Sequence, residues 1–322
     1  MKSQCLCLPL WLAAAAGYAH AQTAQWPAKA VRVIVPFETG STTDTLARVV
    51  GGKLGDVWKQ QFVIDNRGGA GGNIGTEMVA KAAADGYTLL MAAGSHAINP
   101  SLYRSLHYDV LKDFAPVTLV ATAPQLLVAN PSVQASSVAE LIALAKSKPG
   151  QLNYASGGSG SPSHLTMELF RSMAGINLVH VPYKGGAPVL TALLSDQVQL
   201  YAGNVRAMMP QVKAGRLTAL AVTSAKRTPA APDVRTVAES GLPGFSVVAW
   251  WGLLAPANTP RTVIDKLQRE VAGLLRTPEL RERLALDAID TVGGSPAEFD
   301  AFIRKELATW AKVVKESGAR VE

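Results

Sequence analysis

Strand-like segments that are apolar on both faces alternate with amphipathic helical segments along most of this chain, and this alternation constrains the fold most strongly. In the first such strand, Ala30 to Phe37, β-branched and apolar side chains occupy odd and even positions alike, as expected for a central parallel strand. A stripe of apolar residues with helical spacing then runs from Leu46 to Val57. Strands QFVIDNR and YTLLMAAG follow, with the helix NIGTEMVAKAA between them. This order predicts βαβ units and a parallel sheet flanked by helices.

The same rhythm restarts in the middle of the chain. We predict helices at Ser137 to Ser147, Pro162 to Met173 and Pro188 to Leu194, and strands at LNYAS, LVHVPY, VQLYAGN and LTALAVTS. The C-terminal part is predicted to be helical, with Thr259-Pro260 as an N-cap followed by Pro at the first helical position, and Ser295 to Glu298 as a capping box. The second run resembles the first in size, which favours two domains.

Two long apolar segments are placed to connect these domains. Val117 to Asn130 contains Pro124, which a central strand would not tolerate, so we expect this segment to pass from one domain to the other. Ser246 to Pro256 is placed to return. The predicted fold is α/β with two domains, each a mostly parallel sheet flanked by helices, joined by two crossing strands. Domain 1 comprises residues 22–122 and 247–322, and domain 2 comprises residues 123–246. A cleft between them would face the carboxyl ends of the strands.

The N-terminal residues 1–21 have the pattern of a cleaved secretory signal peptide. Lys2 precedes a short apolar run, and Ala19-His20-Ala21 provides small residues around the cleavage site. Both cysteines, Cys5 and Cys7, lie in the part removed, so we expect an exported, soluble, periplasmic protein that begins at Gln22 and has no disulfide.

Charge and motifs argue against nucleic-acid and nucleotide binding. The formal net charge is +7, but basic and acidic residues are interspersed, which gives nucleic-acid binding little support. The glycines of RGGAGGNIG fit neither a dinucleotide nor a phosphate-binding loop; we interpret this segment as a tight strand-to-helix turn with positive φ. No cofactor is expected.

Two small, polar loops follow predicted strands and allow two compatible interpretations. In GSTTD, Ser41 is a candidate N-cap, and Asp44 is placed to accept a hydrogen bond from the Ser41 amide. A capped helix still presents amides and a positive dipole end, which suits a carboxylate. The second loop, SGGSGSPSH, lies between a strand and a helix begun by Ser161 and Pro162, and its small residues let a ligand approach the amides.

No arrangement of residues predicts catalysis or metal binding. His96, His164 and His180 are scattered, and neither a nucleophile elbow nor a zinc-binding helix motif is present. The pair Ser163-His164 is more typical of a structural hydrogen bond than of a nucleophile and base. We therefore predict that the protein is not an enzyme.

A series of ordered sequence blocks carries a resemblance to a known family. These blocks are VRVIVPF with G-x-T-x-D, DNRGGAGGNIG, DGYTLL, NPSLY, LNYASGGSGSPSHLTMELF, VPYKGGAP, GRLTALAVTS, PDVRTVAESGLPG, WWGLLAPANTP and SPAEFDAFI. Together they resemble the solute-binding receptors of the tripartite tricarboxylate transporter family, also called Bug-type periplasmic receptors. The resemblance implies a two-domain periplasmic binding protein fold, type II-like, that closes over a small organic carboxylate and performs no chemistry.

The resemblance also implies a set of ligand contacts, made largely by main-chain amides. On matching positions, the first domain would contribute Phe37, Gly40, Ser41, Thr42 and Asp44, with Ser95 and His96 on a neighbouring loop. The second domain would contribute Ser156, Gly160, Ser161, His164 and Gly203, with Tyr183 and Lys184 near the rim. Phe37 would form an apolar wall under the ligand.

Departures from the family pattern leave the far end of the ligand open. Glu38 replaces a small residue, and Gly203 precedes Asn204 where many relatives have an acidic residue. If Glu38 faces the cleft, it favours a ligand with an amine or hydroxyl; if Arg206 does, a diacid becomes attractive; either side chain is alternatively solvated.

The resemblance implies delivery of the ligand to integral-membrane permease subunits. A second hypothesis is a sensor that presents the bound carboxylate to a signalling protein. The two functions share one binding site, so both remain open here.

Overall fold

The computed structural model describes residues 26–183 and 185–318. The strands are β1 Val31–Val35, β2 Phe62–Asn66, β3 Thr88–Ala93, β4 Phe114–Ala129, β5 Asn153–Ser156, β6 Val179–Pro182, β7 Leu200–Asn204, β8 Thr218–Val222, β9 Val248–Pro256 and β10 Asp290–Thr291. The helices are α1 Thr42–Trp58, α2 Asn73–Ala80, α3 Ser95–Leu102, α4 Val138–Ser147, α5 Pro162–Ala174, α6 Gly186–Leu194, α7 Val205–Lys213, α8 Arg261–Leu275, α9 Pro278–Ala285 and α10 Pro296–Ser317. The predicted signal peptide, residues 1–21, and the predicted start at Gln22 lie outside the described residues.

The strands form one mixed sheet in the order β2-β1-β3-β9-β4-β7-β5-β6, with β8 and β10 also paired to β4. The prediction of β1 as a central parallel strand is confirmed, because β1 pairs in parallel with both β2 and β3. Beyond β3 the pairing changes: β9 is antiparallel to β3 and to β4. Parallel pairing returns at β5, which pairs with β6 and β7. The α/β class is therefore correct, and the sheet is more mixed than predicted.

Strand β4 belongs to both halves of this sheet. From Phe114 to Pro124 it pairs with β9, and from Gln125 onward it pairs with β7. We call the part of the sheet up to Pro124 the first half and the part from Gln125 the second half. Pro124 is accommodated because it stands opposite Val248, the first residue of β9, where the ladder changes partner. The next amide, that of Gln125, donates to Thr223 Oγ1 at 2.8 Å.

Local sequence signals correctly predict several helix starts. Ser137 and Ser161 each accept a hydrogen bond from a first-turn amide, and Ser295 with Glu298 forms the predicted capping box. The predicted cap at Thr259 is wrong: α8 begins at Arg261, and the Thr259 hydroxyl donates instead to the Pro256 carbonyl at 2.8 Å. The predicted positive-φ turn in RGGAGGNIG is confirmed, with φ of 118°, 64° and 96° at glycines 69, 71 and 72.

The C-terminal helix α10 packs against α3 of the first half and α5 of the second half. Its buried side chains, such as Phe299 and Trp310, join the largest core cluster, as the apolar face of this segment predicts. At its far end, Ser172 on α5 donates to Glu316 at 2.6 Å. Within the described part of the chain, every helix is too short or too polar to cross a bilayer.

Candidate ligand-binding cavity

A cavity of about 410 Å³ lies between the two halves of the molecule. Its second-half wall is the loop from Gly157 to Pro162, which joins β5 to α5. Its first-half wall includes Phe37, after β1, and Ser95, at the start of α3. The floor is formed where the chain crosses between the halves, at Gln125 and residues 247–251. This volume is in the range of small-molecule sites.

Helices α3 and α5 both begin at this cavity. Gly94 and Ser95 at the start of α3, and Ser161 and Pro162 at the start of α5, line it. First-turn amides of a helix have no acceptor within the helix, and the N-terminal end of the helix dipole is positive. Two such ends at one cavity are suited to binding an anion without any basic side chain.

The loop before α5 is held by internal hydrogen bonds. The Gly160 amide donates to His164 Nδ1 at 3.0 Å, and the His164 amide donates to Ser161 Oγ at 3.4 Å. Gly160 has φ +76°, a conformation that favours glycine. Ser156 lies below this loop, fully buried, where its hydroxyl donates to the Gly158 carbonyl at 3.1 Å and contacts His180 Nε2 at 2.6 Å. Gly160 and Ser161 line the cavity, whereas Ser156 and His164 support the loop from behind.

A stack of rings supports the same loop. The centroids of His164 and His180 are 3.9 Å apart, and those of His180 and Tyr154 are 4.9 Å apart. Burial lowers the pKa of His164, and burial together with the neighbouring His164 lowers the pKa of His180 to about 4. Both imidazoles are therefore neutral near neutral pH. Burial acts to raise the pKa of Glu168, but hydrogen bonds from Arg171 and the Tyr154 hydroxyl lower it overall.

The predicted contacts from Gly40 to Asp44 lie outside the cavity in this structure. Ser41 caps α1 by accepting from the Asp44 amide at 3.2 Å. The predicted return bond from Asp44 to the Ser41 amide is wrong, because Asp44 Oδ2 accepts from the Gly40 amide at 2.9 Å. Asp44 is 2% exposed, pairs with Arg48 at 2.9 Å and accepts from Asn66 at 3.0 Å. Its carboxylate is thus occupied internally, and Thr42 beside it is exposed.

Ser95 and His96 point in different directions. Ser95 lines the cavity and begins α3, so the predicted loop at this position is a helix. His96 is 2% exposed and packs edge-on against Phe114, with ring centroids 4.9 Å apart. Burial lowers the pKa of His96 to about 4, an effect that the nearby Val110 backbone partly offsets. The His96 ring is therefore a neutral part of the core.

The remaining predicted contacts lie away from the cavity lining. Gly203 is buried in β7 opposite Leu126, where an added Cβ would lie 2.2 Å from the Tyr201 ring. The Tyr183 amide donates to the Ser156 carbonyl at 2.9 Å, and its side chain is absent from the lining. Lys184 lies outside the described residues. Of the predicted contacts, the structure brings together Phe37, Ser95, Gly160 and Ser161 at the cavity.

Neither of the two residues considered for the far end of the ligand lines the cavity. The Glu38 carboxylate lies over Gly68, where an added Cβ would be 2.5 Å from Glu38 Oε1. Arg206 forms an ion pair with Asp287 at the surface. Both side chains are exposed, so the alternatives based on their facing the cleft find no support in this structure.

Sequence reasoning missed three polar side chains that line the cavity: Gln125 on β4, Thr166 on α5 and Glu306 on α10. Glu306 Oε2 accepts from Trp250 Nε1 at 3.1 Å and from Trp310 Nε1 at 2.9 Å. Burial raises the pKa of Glu306, against the effect of these two bonds. The only signal in the sequence is a Glu within the apolar face that contains Trp310.

The described residues contain no group of three or more His, Cys, Asp and Glu side chains placed to hold a metal ion. The Ser156 hydroxyl, which contacts His180 Nε2, is fully buried behind the loop and does not line the cavity. The Ser163 hydroxyl accepts from the Gly157 amide at 3.0 Å, and His164 binds the Gly160 amide.

Comparison with known proteins identifies the chain's relatives. The family model described as the tripartite tricarboxylate transporter family receptor matches residues 46–319. Protein BugT of Bordetella pertussis is 38% identical over 299 residues, which cover 92% of each chain.

Solved structures agree with this relationship. Rpa4515 of R. palustris with adipate is 40% identical, covers 92% of this chain and 100% of its own, and superposes with a TM-score of 0.76. MatC from Rhodopseudomonas palustris with bound malate is 33% identical, with coverage of 90% and 100% and a TM-score of 0.71. The periplasmic binding protein BugD is 33% identical, with coverage of 92% and 100% and a TM-score of 0.72.

Proposed function

The chain belongs to the tripartite tricarboxylate transporter receptor family, the Bug-type solute-binding receptors, and from this premise we propose that it captures a small organic carboxylate in the cavity between its two halves and delivers it to a membrane transporter. The family is one of periplasmic binding receptors. In this proposal the bound molecule leaves the cavity unchanged, as expected of a binding receptor.

The observation that carries this proposal is the convergence of the α3 and α5 N-termini on one cavity. The described lining has no Lys, Arg or His side chain, so the positive potential there comes from the backbone. A carboxylate matches in charge the positive ends of the two helices that converge on the cavity. The adipate and malate in related structures support the same ligand class.

Closure around the ligand is part of the proposal. We propose domain 1 as residues 22–122 and 247–322 and domain 2 as residues 123–246, turning about the two chain crossings. Further closure would bring Gly40, Ser41, Thr42 and Asp44 toward the ligand, as the family resemblance implies, and a ligand that binds the closed state more tightly shifts the population toward it.

The deciding experiment is mass spectrometry of small molecules released from the denatured, freshly purified protein, followed by calorimetric titration of each candidate. We expect an organic acid that binds back at one site and raises the melting temperature. Recovery of a chemically altered acid after incubation would contradict a pure receptor. A protein that neither carries nor binds any carboxylate would overturn the proposal.

Delivery requires a partner, and co-purification tests it. With ligand bound, we expect the protein to retain integral-membrane permease subunits from solubilised bacterial membranes. Retention of a sensor protein instead would favour the signalling alternative. Localisation to the periplasm, with removal of residues 1–21, is checked by fractionation and N-terminal sequencing of the mature chain.

A further inference from the structure

Three polar groups at the cavity have unused hydrogen-bonding capacity. Gln125 Oε1 and Thr166 Oγ1 are buried and have no hydrogen-bond partner among the described residues. Gln125 is 7% exposed and Thr166 is 1% exposed, yet both line the cavity. An unpaired buried polar atom is unfavourable, so this cavity is incomplete without a polar group from its occupant.

Glu306 is the third polar group, and it carries a charge. It is the single charged side chain among the described residues that line the cavity. Its Oε2 atom accepts from the indole nitrogens of Trp250 and Trp310, whereas Oε1 has no hydrogen bond to any described residue. Burial raises the pKa of this carboxyl overall, although the two indole hydrogen bonds and, to a lesser extent, Lys305 lower it, so the half-buried carboxylate is poorly compensated. A donor supplied by the ligand completes its environment.

The groups that line the cavity therefore favour opposite charges. The α3 and α5 N-termini favour negative charge, while Glu306 disfavours a second negative charge and favours a positive one. The surfaces between them are largely apolar and aromatic, including Phe37, Trp250 and Trp310. A dicarboxylate places like charges together at Glu306, whereas an ammonium or hydroxyl group donates to Glu306, Gln125 or Thr166.

Resting on the proposed function, we propose that the preferred ligand is a monocarboxylate whose far end carries a hydrogen-bond donor, an ammonium or hydroxyl group, and that Glu306 selects this ligand against dicarboxylates. The carboxylate binds the helix N-termini. The donor binds Glu306, and the Gln125 and Thr166 oxygens on the lining can also bind a polar group of the ligand. Glu306 thus performs the role that sequence reasoning considered for Glu38.

A matched ligand series tests this selection. Hexanoate, 6-hydroxyhexanoate, 6-aminohexanoate and adipate share one chain length and differ in the far group, and the four-carbon series from butanoate to succinate repeats the comparison. Calorimetric titrations use the purified protein dialysed free of ligand. We expect a donor-bearing acid to bind at least about ten-fold tighter than the matched dicarboxylate, the scale of a hydrogen bond to a charged group.

The variant Glu306→Gln removes the charge while leaving an acceptor for both indoles. We expect it to reduce the preference for the ammonium or hydroxyl acid over the dicarboxylate at least about ten-fold, with the folded state checked by circular dichroism. The control Glu316→Gln makes the same change on the same helix, away from the cavity, and should leave the preference unchanged.

The remaining outcomes separate the two proposals. Tightest binding of a dicarboxylate, or equal binding of the alkyl and donor-bearing acids, overturns the selection by Glu306 and leaves the receptor function standing. If Glu306→Gln weakens the binding of every acid equally, the selection by Glu306 is also overturned, because Glu306 would then only support the cavity wall. Absence of binding across both series overturns this inference together with the proposed carboxylate receptor.

Discussion

Two turns of this molecule share one backbone design and differ in the side chain that holds it. Ser41 and Ser161 have nearly the same conformation, with φ of −65° and −67° and ψ of 159° in both. The preceding glycine has positive φ in each turn and donates to the side chain three residues after the serine. That side chain is Asp44 in the first turn and His164 in the second.

The difference follows the position of each turn relative to the cavity. Asp44 is paired with Arg48 in a turn outside the cavity, whereas His164 lies behind the turn that lines it. A carboxylate at position 164 would oppose an anionic ligand, whereas a neutral imidazole accepts the same amide without that repulsion. The two turns therefore share their geometry. The turn that lines the cavity differs from the other in having a neutral side chain, His164, behind it.

The strongest test replaces the neutral partner by the charged one. His164→Asp keeps an acceptor for the Gly160 amide but places a negative charge behind the cavity wall. We expect carboxylate affinity to fall by about 100-fold, because juxtaposed like charges cost several kcal/mol. Calorimetric titration measures the loss. The control His164→Asn supplies a neutral acceptor, and a similar loss in both variants would show that the ring, and not neutrality, matters.

The next test removes the charged partner from the other turn. Asp44→Ala leaves the Gly40 amide, Arg48 and Asn66 without their shared acceptor, so we expect the free energy of unfolding to fall by about 2 kcal/mol. Carboxylate affinity should fall less than in His164→Asp, because this turn lies outside the cavity and would reach the ligand only on closure. Urea denaturation and calorimetry measure the two effects. A large loss of affinity with unchanged stability would instead support the predicted direct role of Asp44 in binding.

The pH dependence of Asp44 sharpens that test. Burial acts to raise the pKa of Asp44, but hydrogen bonds from Arg48, Gly40 and Asn66 lower it overall, below the ordinary value of 3.8. Its stabilising contribution is therefore complete above pH of about 4 and is lost as the pH falls through the lowered pKa. The stability difference between wild type and Asp44→Ala should shrink in strong acid.

A smaller effect is expected from the two caps. Ser41→Ala and Ser161→Ala each remove one acceptor at a helix start, which costs about 1 kcal/mol. The similar conformations of the turns predict similar losses in urea denaturation. Ser161→Ala should lower ligand affinity more than Ser41→Ala, because Ser161 lines the cavity and Ser41 would approach the ligand only on closure. Clearly unequal losses of stability would contradict the equivalence of the turns.

The smallest effect concerns the rings behind the second turn. Burial and His164 lower the pKa of His180 to about 4, from an ordinary value of 6.5. The unfolded chain binds more protons in this interval, so stability is lost as the pH falls from about 6.5 to 4. His180→Phe should flatten this part of the stability profile by no more than about 1 kcal/mol, because the ring keeps some solvent exposure. An unchanged profile would rule out titration of His180.

The parts of the fold and site that depend on local chemistry could be predicted from the sequence. Serine caps such as Ser161 and Ser295, and the strand apolar on both faces at β1, depend on neighbouring residues alone. Helices α3 and α7 are not predicted, and both form although each contains a proline, Pro100 and Pro210, because tertiary packing outweighs the hydrogen bond lost at proline.

The polar side of the cavity could not be predicted, because it joins residues far apart in sequence. A crossing strand and two separate helices contribute Gln125, Thr166 and Glu306. No local sequence pattern indicates that these three residues line one cavity. The orientation of His96 was likewise hidden. Ser95 and His96 are adjacent in sequence, but the start of α3 places one at the cavity and the other in the core.

The two chain crossings have a mechanical consequence. Strand β4, the first crossing, changes partner between Pro124 and Gln125. The second crossing enters β9 at Val248, which pairs with Pro124. Gln125, Val247 and Val248 also line the cavity. If the two halves close by turning about these crossings, as proposed, the same peptide units bend, so the occupant lies close to the axis and moves little while the outer turns move farthest. A bound molecule near this axis would separate the two halves, and its thickness would limit the angle to which they can close.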